Sequence, residues 1–194
     1  MKVVSSLALT ALVLTAAPLA AQTVVQPDRA LTEQETAVRT SLYQLRDSLN
    51  AVAAASARIA RDLQSASDAA LRSRARVMAN RCRAATTQLD SSRAVVNRTN
   101  LPAPDPKQTR GALDKALGQL RSTLIDCGTQ FSGLTAPEKA EELRGYGIGR
   151  GEKVQTAIQA YRPVASQYFR ATFDQPYWPD TRGAGQTPTD PNIH

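Results

Sequence analysis

The chain has 194 residues, with 24 lysines and arginines against 17 acidic residues, which gives a formal net charge of +7. It contains only 1 Trp, 5 Tyr and 3 Phe, so alanine, leucine and valine must supply most of the core, which favours closely packed helices over a sheet sandwich. The only histidine is His194, which argues against a Ser-His-Asp triad, a Cys/His zinc site and histidine-ligated haem or di-iron centres.

The amino-terminal stretch has the pattern of a secretory signal peptide. A short positive start, Met1-Lys2, precedes a mostly apolar run to Ala17, and Ala21 stands where a signal peptidase would cleave. The alternative is an uncleaved amino-terminal anchor helix. We therefore predict a signal peptide over 1–21, a linker over 22–30, and a mature protein that is periplasmic or secreted.

The first long helix is predicted from a capping box and a repeating apolar pattern. Thr32 and Glu35 have the spacing at which a threonine hydroxyl and a glutamate carboxylate cap a helix reciprocally. Apolar residues then recur at alternating spacings of four and three, which predicts a helix with a coiled-coil-like seam. Ser56 is the one polar member of this row, and we expect its hydroxyl to bond back to its own helix. The row is Val38, Leu42, Leu45, Leu49, Val52, Ser56, Ile59 and Leu63.

Residues 65–68 leave two architectures open. Ser67 can cap a new helix whose first turn holds Asp68, and a turn explains why Leu63 and Leu71 stand out of heptad register. A continuous helix with a stutter explains the same shift. We favour the turn, which gives an all-α antiparallel bundle of four long helices. The alternative is one long helix over 31–99 packed against two or three shorter ones.

The only two cysteines, Cys82 and Cys127, fall on the apolar seams of the second and third predicted helices. Folding the chain at the proline-rich segment 101–106 places them in one layer, and the small Ala75 and Ala85 would allow the helices to approach closely. Export would bring the pair into an oxidising compartment. Because there is no C-x-x-C motif and cysteines on a buried seam are poor nucleophiles, we predict a structural disulfide and not a redox pair.

The fourth helical segment contains four glycines at alternate positions over residues 145–151. We predict that this run breaks or frays the helix, with a restart at Glu152. Backbone amides ahead of that restart, together with Arg150, would suit an anion. The alternative is a flexible joint or a close-packing point between two helical pieces. The bundle is then predicted to span 31–173 and to be followed by a disordered tail over 174–194, from which Tyr177 and Trp178 can pack back.

Arginines concentrate on the second helix, since residues 65–99 hold seven arginines and two acids. They lie off the apolar seam and form a positive strip that would suit anionic lipid, cell-wall polymer or nucleic acid. Nucleic acid is the least expected of these, because the strip lacks aromatic residues for base stacking. The alternative is a solvated face. The candidate anion-binding residues are Arg72, Arg74, Arg76, Arg81, Arg83 and Arg150.

No pattern assembles a catalytic set, and we expect no metal and no cofactor. The acids at Glu138, Glu141 and Glu142 are more typical of a solvated first turn than of an acid/base site. The favoured hypothesis is therefore a non-enzymatic envelope interaction or scaffold module that binds a protein partner through a helical surface. The alternatives are an anion-binding protein that uses the arginine strip and, least favoured, an enzyme of unknown class.

Overall fold

The computed structural model of the protein describes residues 30–99, 101 and 106–178. The predicted signal peptide, the predicted linker up to residue 29 and the tail beyond Trp178 lie outside the described residues. Within the described ranges there are four long helices and no strand. The helices are α1 (Glu33–Asp62), α2 (Asp68–Arg98), α3 (Pro106–Gly133) and α4 (Ala140–Phe173), and a short 3-10 turn over Pro137–Lys139 leads into α4.

The four helices form an up-down-up-down bundle. Each one packs against its neighbour in sequence, and α1 also packs against α4, which closes the bundle. The predicted all-α antiparallel fold is therefore confirmed. Residues 63–67 separate α1 from α2, so the alternative of one long helix over 31–99 is wrong.

The helix starts follow the predicted capping chemistry. The Thr32 hydroxyl accepts a hydrogen bond from the amide of Glu35 at 3.2 Å, and the Glu35 carboxylate accepts one from the amide of Thr32 at 2.8 Å. Ser67 is extended, and its hydroxyl accepts from the amide of Ala70 at 3.3 Å. These bonds satisfy amides that have no partner inside the helix, which explains why α2 begins where it does.

The predicted seams of the first three helices form the core. Every apolar residue of the predicted α1 row is buried. Burial of a leucine or valine side chain contributes about 1.5–3 kcal/mol. The buried seam residues of the next two helices are Leu71, Ala75, Met78, Cys82, Ala85, Leu89 and Val96 in α2 and Leu113, Leu117, Leu120, Leu124, Cys127 and Phe131 in α3. Ser92, at a seam position of α2, is also buried, and it bonds across the bundle to the hydroxyl of Ser41 in α1 at 2.9 Å. A small polar layer thus interrupts the α1–α2 seam without leaving either hydroxyl unpaired.

The glycine run does not break α4, and that prediction was wrong. The helix is continuous from Ala140 to Phe173. Gly147 and Gly151 continue the buried seam between Leu143 and Val154, so the glycines occupy core positions that larger apolar residues take elsewhere. Their fourfold spacing keeps both on the face of α4 that packs against the rest of the bundle.

The packing of α4 against α1 explains these two glycines. A Cβ atom at Gly147 would lie 3.1 Å from Leu143 Cδ1 and 3.4 Å from Leu63 Cδ1, and a Cβ atom at Gly151 would collide with the Ser56 hydroxyl. Glycine costs about 1 kcal/mol against alanine in a helix. Here that cost is offset by the close approach of two long helices, which a side chain would prevent.

Ser56 also differs from its prediction. Its hydroxyl is buried and accepts a hydrogen bond from the Gln155 side-chain amide of α4 at 3.1 Å, where a bond back to its own helix was expected. The missing Cβ of Gly151 provides the space for this hydroxyl. The polar residue in the α1 seam is therefore a contact between α1 and α4.

The chain turns back on the bundle after α4 ends at Phe173. Asp174 takes a left-handed conformation, with φ 53°, and its amide donates to the carbonyl of Arg170 at 3.0 Å. The chain then turns back, so that Tyr177 is fully buried and Trp178 half-buried. Tyr177 and Trp178 thus pack back on the bundle.

Replacing Gly151 by alanine tests the α1–α4 contact. We expect G151A to lower the free energy of unfolding by about 1–3 kcal/mol, because the added methyl must displace the Ser56 hydroxyl from Gln155. Without that hydroxyl, the nearest Ser56 atom to the new Cβ is Cβ at 3.5 Å, an ordinary contact. The double variant S56A/G151A should therefore recover most of the loss in urea unfolding.

The matched control for this variant is Gly149→Ala, in the same helix. A Cβ atom there meets nothing within 4 Å, so G149A should raise stability by about 0.5–1 kcal/mol through helix propensity. Equal effects of G151A and G149A, or no recovery in the double variant, would contradict this packing.

Candidate functional site

The arginines of α2 do not converge on one site. Arg74 reaches α1, where its guanidinium lies 2.8 Å from the carboxylate of Asp62. Arg83 turns the other way and donates to the hydroxyl of Ser132 in α3, and to Asn80 at 3.0 Å. Two of the predicted anion ligands are therefore engaged by the bundle itself, on opposite sides of α2.

The remaining members of the strip lie on different flanks. Arg72 and Arg76 are four residues apart and share the flank of Arg83, whereas Arg81 lies with Arg74 on the flank of α1. None of Arg72, Arg76 and Arg81 has a hydrogen-bond or ion-pair partner in the part of the chain that the structure describes. Arg72 and Arg76 are thus the two neighbouring arginines of the strip that stay available to a ligand.

Further along α2, arginines and acids form two fork-like ion pairs with α3. Arg93 bonds both carboxylate oxygens of Asp114, at 2.6 and 2.9 Å. Arg121 bonds both oxygens of Asp90, at 2.7 and 3.0 Å. These hydrogen bonds lower the pKa of each aspartate below its usual range. Because all four side chains are partly exposed and screened by solvent, these pairs contribute little to stability.

The predicted anion site at Arg150 is absent, because no helix begins near this residue. Residues 149–152 lie inside α4, so their amides do not form the free amino-terminal turn that the prediction required. The Arg150 guanidinium lies 3.4 Å from the Glu142 carboxylate and over the ring of Tyr146, 5.8 Å from its centre. Its surroundings are those of a side chain that pairs along one helix.

The acidic cluster at the start of α4 is held by neighbouring cations. Glu142 accepts from the Lys139 ammonium at 2.8 Å, and this bond is the main reason that the pKa of Glu142 is lowered. Glu141 is exposed and lies 3.8 Å from the Arg144 guanidinium. Arg144 in turn bonds the carbonyls of Leu63 and Ala66, at 2.7 and 2.9 Å, and so ties α4 to the α1–α2 turn.

A groove of about 660 Å³ lies between α3 and α4. Its α3 side carries Thr123, Asp126 and Gln130, and its α4 side carries Arg150 and Lys153. Charges of both signs and neutral polar groups line it. A second groove, of about 540 Å³, lies between α2 and α3 beside Arg83.

Within the described ranges 30–99, 101 and 106–178, no group of three or more His, Cys, Asp or Glu residues is placed to hold a metal ion. No helix in those ranges is long and apolar enough to cross a bilayer. His194 lies outside them.

The cysteines meet as predicted. Cys82 and Cys127 form a disulfide between α2 and α3, with Cα atoms 6.0 Å apart and both residues buried. Beside the bridge, Gly128 allows the close approach, since a Cβ atom there would lie 3.3 Å from Arg83 Cγ and 3.8 Å from the carbonyl oxygen of Ala79. The expected small residues, Ala75 and Ala85, are fully buried on the same seam.

The outer side of α4 carries a surface that sequence reasoning missed. Tyr146 and Ile148 are large apolar side chains with 62% and 41% of their surface exposed. They flank Gly145 and Gly149, at which an added Cβ atom would meet nothing within 4 Å. We call these four residues the α4 face. The helical period could have predicted this surface. If Gly147 and Gly151 lie on the buried seam, Gly145 and Gly149 must point away from the bundle.

The carboxyl-terminal end of the bundle is closed by aromatic residues. The Tyr177 hydroxyl donates to the carbonyl of Leu42 at 2.6 Å and lies 3.3 Å from the Tyr161 hydroxyl. Burial raises the pKa of both phenols, so both stay protonated. Trp178 packs edge-on against Tyr177 and Tyr161, beneath the guanidinium of Arg162. This cluster joins α1 to α4, and its two phenols are neutral at neutral pH.

No protein-family model matches the sequence, and neither a curated protein nor a solved structure shows significant similarity to it.

Removal of the disulfide tests its structural role. Replacing both cysteines by alanine should lower the free energy of unfolding by about 2–4 kcal/mol, because the bridge closes a loop with a sequence separation of 45. The helical circular dichroism signal should be unchanged at 25 °C, since the four seams remain. Reduction of the natural protein should lower its urea midpoint by the same amount. Two free thiols in the unreduced protein would contradict the pairing.

Proposed function

We propose that the protein is an exported, non-enzymatic interaction module of the cell envelope that binds a protein partner on the α4 face. The observation that carries this proposal is the exposure of Tyr146 and Ile148 on either side of two open glycines. Elsewhere the polar groups at the helix contacts are largely paired within the bundle. The α4 face is where apolar surface and room for close approach coincide.

The chemistry of this face suits a protein partner better than a small molecule. The face lies along one helix and is convex, whereas small-molecule sites are concave and enclose most of their ligand. Tyrosine is enriched at protein interfaces because its ring buries a large area and its hydroxyl can still be hydrated or bonded. A helix of the partner could cross at the glycines and contact both flanking side chains.

Two further observations support the exported setting. The amino-terminal pattern of residues 1–21 is that of a signal peptide. The buried Cys82–Cys127 bridge forms only by oxidation of the two thiols, and an exported protein passes into an oxidising compartment. Neither observation identifies the partner, which is expected to be another envelope protein.

Capture from an envelope extract tests this function. The oxidised protein, immobilised at physiological salt, should retain a specific partner, and Y146S/I148S should reduce retention at least tenfold because the apolar flanks are lost. The matched control is V77S, which removes an apolar side chain of 47% exposure on α2. Equal retention by Y146S/I148S and by the natural protein would place partner binding elsewhere.

A second candidate function is the binding of an anionic polymer or membrane surface by Arg72 and Arg76. The observation that favours it is that these neighbouring arginines have no partner within the described residues, while Arg74 and Arg83 are engaged by the bundle. A pair of unpaired guanidiniums on a rigid helix can bind phosphate or sulfate groups. Of the arginine strip on α2, only Arg72 and Arg76 are therefore proposed as the anion-binding site.

Retention on heparin and on vesicles of anionic lipid tests this candidate. We expect R72E/R76E to elute at clearly lower salt than the natural protein, because two favourable charges become repulsive. The control is R98E/R170E, which makes the same change of charge at two other exposed arginines. If both variants shift elution equally, only the net charge of the protein matters and the site is refuted.

A further inference from the structure

We propose that the groove between α2 and α3 binds a single-chain anionic amphiphile of the fatty-acid class, with its apolar chain along the groove and its head at the arginines of α2. This inference rests on the second candidate function, because it uses Arg72 and Arg76, and it adds the chemical class of the ligand. The groove has a volume of about 540 Å³, which lies within the range of small-molecule sites.

The lining of this groove is more apolar than its residue types suggest. Thr86 and Thr87 donate their hydroxyl protons to carbonyls one turn earlier in α2, at 2.9 and 3.2 Å, so these donors are already used within the helix. From α3, Leu124 and Ile125 line the groove, and 40% of the Ile125 surface is exposed. An apolar chain would therefore cover apolar surface without leaving these two hydroxyls unpaired.

One end of the groove carries a fixed positive charge. The Arg83 guanidinium donates to Asn80 at 3.0 Å and to the hydroxyl of Ser132. Both partners are neutral, so the bonds orient the guanidinium and leave its charge uncompensated. Gly128 allows this side chain to lie close against α3, since a Cβ atom there would be 3.3 Å from Arg83 Cγ.

Arg72 and Arg76 extend this charge along α2. Both lie on the flank of Arg83, and no carboxylate pairs with any of the three in the part of the chain that the structure describes. Three uncompensated guanidiniums attract an anionic head to this end, whereas the Arg121–Asp90 pair, which is neutral as a whole, lies toward the other end. The polarity of the groove thus matches a ligand with one anionic head and one apolar chain.

The larger groove between α3 and α4 does not have this separation of charge and apolar surface. Asp126 and Glu152 line it together with Arg150 and Lys153, so an anionic ligand would meet two carboxylates there. Among the described residues, no carboxylate lines the groove between α2 and α3. An anionic amphiphile is therefore expected at the α2–α3 groove and not at the larger one.

Calorimetric titration of the oxidised protein with octanoate, decanoate and dodecanoate tests the proposal, each below the concentration at which it forms micelles. Burial of one methylene group tightens binding by up to about fourfold. Because the groove is open on one side, each two-carbon step should lower the dissociation constant about four- to sixteenfold. Butyrate, which has the same head and almost no chain, should show no binding at the same concentrations.

Two variants separate the chain site from the head site. Ile125→Ser should weaken decanoate binding at least fivefold, because it removes apolar surface from the groove; the control is V77S, on the opposite flank of α2. R72E/R76E should weaken it about tenfold through charge repulsion, and R98E/R170E is the control. Unchanged helical circular dichroism shows that each variant is folded.

A second measurement locates the ligand without any substitution. In NMR spectra of the natural protein, decanoate should shift the methyl resonances of Ile125 and Thr86 and leave those of Val77 unchanged. Shifts confined to other parts of the bundle would place the ligand elsewhere and overturn the inference.

The outcomes also separate this inference from the function on which it rests. If decanoate does not bind, while R72E/R76E still elutes from heparin at lower salt than R98E/R170E, the amphiphile is refuted and the anion site stands. Decanoate binding that is lost in I125S but insensitive to R72E/R76E would overturn the placement of the head and thus the inference. If R72E/R76E alters neither heparin retention nor decanoate binding, both proposals are refuted.

Discussion

The close approach of α1 and α4 at Gly147 and Gly151 is the constraint on which the rest of the structure depends. It closes the bundle, because it joins the first helix to the last. It also sets the rotation of α4 about its own axis. With these two glycines turned inward against Ile59, Leu63 and Ser56, the helical period leaves Gly145 and Gly149 outside, between Tyr146 and Ile148.

The opposite side of the bundle is held by different chemistry. Between α2 and α3, the Cys82–Cys127 bridge supplies a covalent link. The Arg93–Asp114 and Arg121–Asp90 pairs join the same two helices closer to the segment that connects them. The bridge acts mainly by restricting the unfolded chain, whereas the exposed ion pairs add little stability but favour one register over its neighbours. The two helix pairs therefore differ: α2 and α3 are joined covalently, whereas α1 and α4 depend on close packing at the glycines and on the aromatic cluster around Tyr177.

Much of the fold could be predicted because it depends on local patterns. The seams follow the helical period, the capping box at Thr32 and the cap at Ser67 need only nearby residues, and the register of one hairpin places Cys82 opposite Cys127. The glycine run was misjudged because intrinsic propensity was weighed without the tertiary contact that overrides it. Ser56 was misjudged for the same reason, since its partner, Gln155, is distant in sequence.

The candidate sites were harder to predict, because they depend on which groups are already paired. Six arginines were equivalent in sequence, but Asp62, Ser132 and Glu142 engage three of them in the folded chain. The α4 face became visible only once the orientation of the four glycines was known. A candidate binding surface is therefore marked by the side chains that the bundle leaves unpartnered, and no local sequence pattern predicts which these are.

Carbon chemical shifts and amide hydrogen exchange across residues 143–154, measured by NMR, test the central claim most directly. A continuous α4 predicts helical Cα shifts at all four glycines, with the amides of Gly147 and Gly151 exchanging at least as slowly as those of the flanking turns, because they lie in the helix where it packs on α1. Shifts typical of an irregular chain at Gly145–Gly151, with fast exchange throughout, would contradict the account and restore a break in the helix.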